Sequence, residues 1–191
     1  MSSWSERKKK IKSELDFDPL VTIPMMEDED IEREVIQKRI REAFDKEQCS
    51  NITIVDPYFL AQDLEFIVLT FASIAGRKVR IITKLEDPQN GVKKTHEESF
   101  EAVIADIEKK GIFSGLSIYK TNVPLHDRYL ISDNIHESSP CFSLGSSINM
   151  IFRNYTCLLK LNNNAFKRQV LKLIDKCILD GTEIKGSYNG Q

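Results

Sequence analysis

The spacing of apolar residues changes several times along the chain, and each change predicts an element. From Glu29 to Asp45, the residues Ile31, Val35, Ile36, Ile40, Ala43 and Phe44 recur at helical spacing. That predicts an amphipathic helix with one face on the domain or on a partner. Ile52-Thr53-Ile54-Val55 is short and β-branched, as a central strand is. Asp56-Pro57-Tyr58 ends it, because proline cannot donate to the ladder. Gln62 to Ala75 is apolar nearly all round (Leu64, Phe66, Ile67, Val68, Leu69, Phe71, Ile74), so a helix there is buried on more than one side. In a domain this small, that predicts a subunit interface.

Val79 to Thr83 is the next strand. Thr95 and Glu98 fit a capping box that opens a helix carrying Phe100, Val103, Ile104 and Ile107, closed by Gly111. Strands are then predicted at Leu116 to Tyr119, Leu125 to Asp133, Phe142 to Leu144 and Tyr155 to Leu161. Asn163 or Asn164 caps a last helix that ends at Gly181. Early alternation of helix and strand makes this an α/β chain, a mixed β-sheet flanked by helices. Residues 1–26, with the run Arg7-Lys8-Lys9-Lys10, are expected to be a flexible or docking arm. Residues 27–50 hold the amphipathic helix and a linker, 51–180 the core domain, and 181–191 a flexible tail. No GxxxxGK[ST] or GxGxxG occurs, so a P-loop or a Rossmann dinucleotide site has no support.

The 191 residues are enough to bury a core without disulfides. A net charge of −2 supplies no global field for nucleic acid, so any polyanion site must be a local patch. Cys49, Cys141, Cys157 and Cys177 are scattered without a CxxC, which makes a structural zinc site improbable and fits reduced thiols. With no signal peptide visible and Leu64 to Ala75 too short for a bilayer, a cytoplasmic location is expected.

The candidate chemistry lies in Leu125-His126-Asp127-Arg128-Tyr129-Leu130-Ile131-Ser132-Asp133. Alternation along a strand would put His126 and Arg128 on one face, about 7 Å apart. A nucleophile or proton carrier would then sit beside a planar cation suited to phosphate. Gly145-Ser146-Ser147-Ile148-Asn149 adds hydroxyls and an amide at a strand end. A lone His-x-Arg is mostly structural; the second motif lifts this one above that background. His96 reads as a first-turn helix residue, His136 as a loop residue, and Cys141 and Cys157 as core.

Together, His126-x-Arg128-x4-Asp133 and the Gly145 to Asn149 run resemble the phospholipase D superfamily signature, HxKx4D followed by GSxN. The resemblance spans roughly residues 52–161. Arginine stands where lysine is usual, and the second motif has serine in place of glycine or one inserted residue. The resemblance implies a phospholipase D-like half with a single motif and metal-independent phosphodiester transfer without a cofactor. His126 would be the nucleophile. Arg128 would clamp nonbridging oxygens, helped by Asn149 and by Ser146 or Ser147. Asp133 would support the motif. Asp56 is a candidate to orient His126, and Arg153 to extend the phosphate pocket.

One motif supplies one histidine where the mechanism needs two, which single-motif relatives provide by homodimerising. The function expected is a nuclease acting on DNA or RNA. The alternative is an inactive module binding phosphoinositide membranes or protein partners, as in the phospholipase D-like C-terminal domain of MIT-domain proteins. A third option makes the chain one subunit of a larger assembly.

Overall fold

A computed structural model describes residues 18–23, 33–45, 50–72, 77–87, 91–92, 95–132, 140–150, 156–161 and 163–186. Strand β1 is Asp18–Ile23, helix α1 Arg33–Asp45, β2 Asn51–Val55 and α2 Leu64–Phe71. There follow β3 (Lys78–Thr83), β4 (Glu86–Asp87), β5 (Gly91–Val92) and α3 (Thr95–Lys109). The last are β6 (Gly115–Lys120), β7 (Arg128–Ser132), β8 (Cys141–Leu144), β9 (Thr156–Lys160), α4 (Asn164–Leu179) and β10 (Thr182–Ile184). Short 3-10 turns occupy Ala61–Asp63 and Ile148–Met150.

The main sheet has 8 strands among the described residues, in the order β1-β9-β8-β7-β2-β3-β6-β10. Neighbours β2, β3 and β6 run parallel, and every other pairing is antiparallel. The mixed sheet expected from the alternating pattern is therefore present.

Side chains alternate across β2, and the two faces are built differently. Ile52 and Ile54 join Val79, Ile81, Leu130 and Phe142 under α1, α2 and α3. Val55 joins Ile82, Tyr129, Ile131 and Cys141 under α4, which contributes Val170, Ile174 and Cys177. The first face carries the large aromatics: the Phe44 ring meets Phe71 edge-on at 5.7 Å and Phe142 at 5.5 Å. The result is a three-layer sandwich whose central strands are covered on both sides.

Three expectations need correction. The arm over residues 1–26 contains β1, paired antiparallel to β9, with its register shifting between Pro19 and Val21. Proline is tolerated there because an edge strand has a side free of ladder bonds. The flexible tail likewise contains β10, paired to β6. The sheet thus reaches beyond the 51–180 limits on both sides.

The third correction concerns the apolar helix, α2. Leu64, Phe66, Ile67 and Phe71 are buried within the subunit, and Leu69 is 52% exposed. Helix α1 supplies the cover that was assigned to a second subunit. Arg41 of α1 donates to the carbonyls of Thr70 (3.0 Å) and Leu69 (3.1 Å), satisfying the open C-terminal end of α2. Buried Arg77 pairs with Asp45 at the far end of α1. The burial is real; the inferred interface is not needed to explain it.

The caps are where the sequence places them or close to it. Asn163 Oδ1 accepts from the amides of Ala165 (2.9 Å) and Phe166 (3.1 Å), so Asn163, not Asn164, caps α4. Gly111, with φ of 60°, closes α3 in the left-handed conformation. The side chains of the Thr95–Glu98 capping box lie outside the described residues.

Candidate active site

Sheet register alone brings the two motifs to one edge. Val55 pairs with Tyr129, so Asp56 is the next position opposite Arg128. Arg128 in turn pairs with Leu144, two residues before Ser146. The end of β2, the start of β7 and the end of β8 therefore meet at one corner.

Asp56 is fully buried there. Its Oδ2 accepts from Ser147 Oγ at 2.7 Å and from the Ile148 amide at 2.8 Å. Its Oδ1 accepts from the Tyr58 amide at 3.0 Å, the turn an aspartate makes with its own backbone two residues on. Burial pushes the Asp56 carboxyl above its ordinary range, opposed by these three hydrogen bonds and the positive charge of Arg128. Asp56 was expected to orient His126. Both of its oxygens instead engage the Ser147–Ile148 segment and the Asp56–Tyr58 turn.

That turn is itself fixed. The Phe59 amide donates to the Asp56 carbonyl at 3.1 Å, and the Asp56 amide to Ile82 on β3 at 3.0 Å. Thr83 Oγ1 lies within hydrogen-bond distance of the carbonyls of Phe59 (3.0 Å) and Pro57 (3.3 Å). Tyr58, which sequence reasoning did not assign to the site, is consequently held beside Arg128, with the guanidinium carbon 5.1 Å from the ring centroid. An arginine stacks this way more readily than a lysine.

Two donors at this corner are buried and unused. Arg128 Nε and Ser146 Oγ make no hydrogen bond. Buried polar groups are nearly always paired, so two orphans on neighbouring motifs mark a place built for an acceptor. Ser146 and Ser147 are both buried; the Ser147 hydroxyl is donated to Asp56, and the Ser146 hydroxyl is not donated.

His126 is different. The strand begins at Arg128, so His126 lies in the irregular segment just ahead of it, exposed to solvent. The regular alternation expected between His126 and Arg128 does not apply, because pairing to β2 stops at Tyr129. Among the described residues, none hydrogen-bonds or ion-pairs with the imidazole. Asp133 and Arg153 lie outside the described residues. Asn149 sits in the 3-10 turn after Ser147, with its side chain outside them.

Other ionisable groups nearby are accounted for. Asp63, 7% exposed, accepts from the Leu60 amide at 2.8 Å. Burial, and then the charge of Asp56, push its carboxyl up to about 7. Tyr129 donates to Asp127 at 3.1 Å. Cys141 is buried in the α4 face, and burial pushes its thiol up to about 12, so it is packing and not a nucleophile.

No family model matches the sequence, and no curated protein matches it either. Among solved structures, the chain is similar to Nuc from Salmonella typhimurium, a phospholipase D family member. The TM-score is 0.52 at 16% identity, covering 77% of this chain and 89% of that one. The fold is phospholipase D-like. NucT from Helicobacter pylori is also similar, with a TM-score of 0.48 at 16% identity over 85% of this chain and 95% of that one. At such identity the phospholipase D-like likeness is one of fold. What the corner can do must come from its own residues.

Proposed function

We propose that the chain is a metal-independent phosphodiesterase, of the nuclease type, acting on DNA or RNA at a site shared by two subunits. The observation that carries this is the pair of orphaned donors, Arg128 Nε and Ser146 Oγ, beside a serine loop tied to a buried carboxylate. Such a corner suits the nonbridging oxygens of a phosphodiester. The phospholipase D-like fold and the two motifs support the same assignment.

In the proposed reaction, the His126 imidazole attacks phosphorus and forms a P–N bond as the P–O bond to the leaving group breaks. The leaving oxygen takes a proton from the partner copy's histidine. Water then attacks phosphorus and gives up a proton to the acid–base histidine as the P–N bond breaks, which restores both histidines. Asp133 supports the motif, and Asn149, Ser146 and Arg153 join Arg128 around the oxygens, while Ser147 stays bonded to Asp56.

Digestion of single- and double-stranded substrates in EDTA tests this directly, alongside His126→Ala. The expected result is cleavage that falls by about a thousandfold or more in the variant. Cleavage that survives His126→Ala, or that EDTA abolishes, removes the proposal. A molecular mass in solution equal to one chain would remove the shared site.

The exposed position of His126, and arginine in place of lysine, favour a second reading: a non-catalytic module that binds phosphoinositide membranes or protein partners. Liposome binding lost with Arg128→Ala, without turnover of any diester, would establish it.

A further inference from the structure

We propose that Asp56 is the positioning residue that sets the anion site before any ligand arrives, by fixing both of its halves from one carboxylate. The proposal rests on the phosphate-site assignment above but not on catalysis. One oxygen holds Ser147 Oγ and the Ile148 amide, fixing the loop that carries Ser146 and leads to Asn149. The other oxygen holds the Tyr58 amide, and the Tyr58 ring stands against the Arg128 guanidinium. One carboxylate thus bonds to both segments. A site whose donors are already aimed loses little freedom on binding.

The chemistry of the corner requires a carboxylate. Three donors converge on Asp56, and it offers only acceptors when ionised. An asparagine presents one oxygen and one NH2. Whichever way it turns, the NH2 faces at least one of the three donors. Asp56→Asn therefore breaks one half of the site while keeping the shape of the side chain.

The substitution also separates positioning from simple charge. Removing a negative group opposite Arg128 should tighten anion binding by Coulomb attraction alone. Loss of positioning should weaken it. The two explanations predict opposite signs.

The test measures inorganic phosphate binding to the full chain by calorimetry, with each variant held well below its own melting temperature. The wild type is expected to bind, Arg128→Ala to lose binding, and Asp56→Asn to weaken it about tenfold. Tyr58→Phe, which keeps the ring, should lose less than Tyr58→Ala. Should Asp56→Asn fail to fold, Ser147→Ala and Tyr58→Ala take its place. Ser147→Ala removes a side-chain bond to Asp56, and Tyr58→Ala removes the ring against Arg128 while keeping the backbone amide bond to Asp56. Because Asp56 holds the turn that places this ring, the double variant is expected to differ from the product of the two single effects.

Equal or tighter phosphate binding by Asp56→Asn overturns the proposal. So does strict multiplication of the Ser147→Ala and Tyr58→Ala effects, or a wild type that does not bind phosphate. Phosphate binding without cleavage of any nucleic acid would end the nuclease assignment and leave this inference standing.

Discussion

Two parts of the same corner, the Asp56 cluster and the His126 segment, are built in opposite ways. Around Asp56, the three hydrogen bonds are 2.7–3.0 Å long, two of them buried and the third part-buried, and all lie within one subunit. Two residues before Arg128, His126 is exposed and outside the strand. Among the described residues, the half proposed to hold an anion is braced by hydrogen bonds, and the half proposed to react is not. A binding site gains from donors fixed in advance. A nucleophile can be aligned later, by the substrate or by a second subunit.

The contrast is sharpest in stability. Asp56→Ala leaves three buried donors unpaired and removes the counter-charge of Arg128. It is expected to cost about 3–5 kcal/mol in urea unfolding. A cost under about 1 kcal/mol would mean the cluster is not the fixed half.

The next effect is a pH dependence. Burial holds the folded Asp63 carboxyl near 7, above the range it has in the unfolded chain. The folded state thus binds the proton more tightly. Its stabilising contribution is complete below the unfolded pKa, falls as pH rises, and is lost once pH passes about 7. The loss is on the order of 4 kcal/mol. Asp63→Asn keeps an acceptor for the Leu60 amide and should flatten the melting temperature between pH 5 and 8 on the order of that scale.

Arg41→Ala gives a yardstick away from the corner. It removes two hydrogen bonds to the end of α2 and should cost about 1–2 kcal/mol. Smallest of all, His126→Ala should change stability by no more than about 0.5 kcal/mol, while abolishing any cleavage. A loss above about 1.5 kcal/mol would show that the imidazole is held after all, and the contrast between the halves would fail.

How much of this was legible beforehand depended on the range of the forces involved. The buried run Ile52 to Val55, the helix from Thr95 and the Asn163 cap are local patterns, and periodicity and capping chemistry found them. Both motifs were legible as well, because their residue types sit at fixed spacing. Edge strands β1 and β10 were not: β10 is short, β1 contains Pro19, and what stabilises both is a neighbouring strand distant in sequence. The apolar face of α2 was visible, but which surface covers it was not, since a helix of the same chain and a second subunit leave the same mark on composition.

At the corner the division is the same. Residue chemistry singled out His126 and Arg128 as groups fit for a phosphoryl site, and the resemblance added the serines and Asp56. Only the tertiary structure decided which of them work together. Asp56 and Ser147 are 91 positions apart and meet through the pairing of β2 with β7 and of β7 with β8. The same pairing ends at Tyr129, which leaves His126 outside the ladder. Side-chain type is a property of each position, whereas the partner of a buried carboxylate is set by strand register, and register is an outcome of the whole fold.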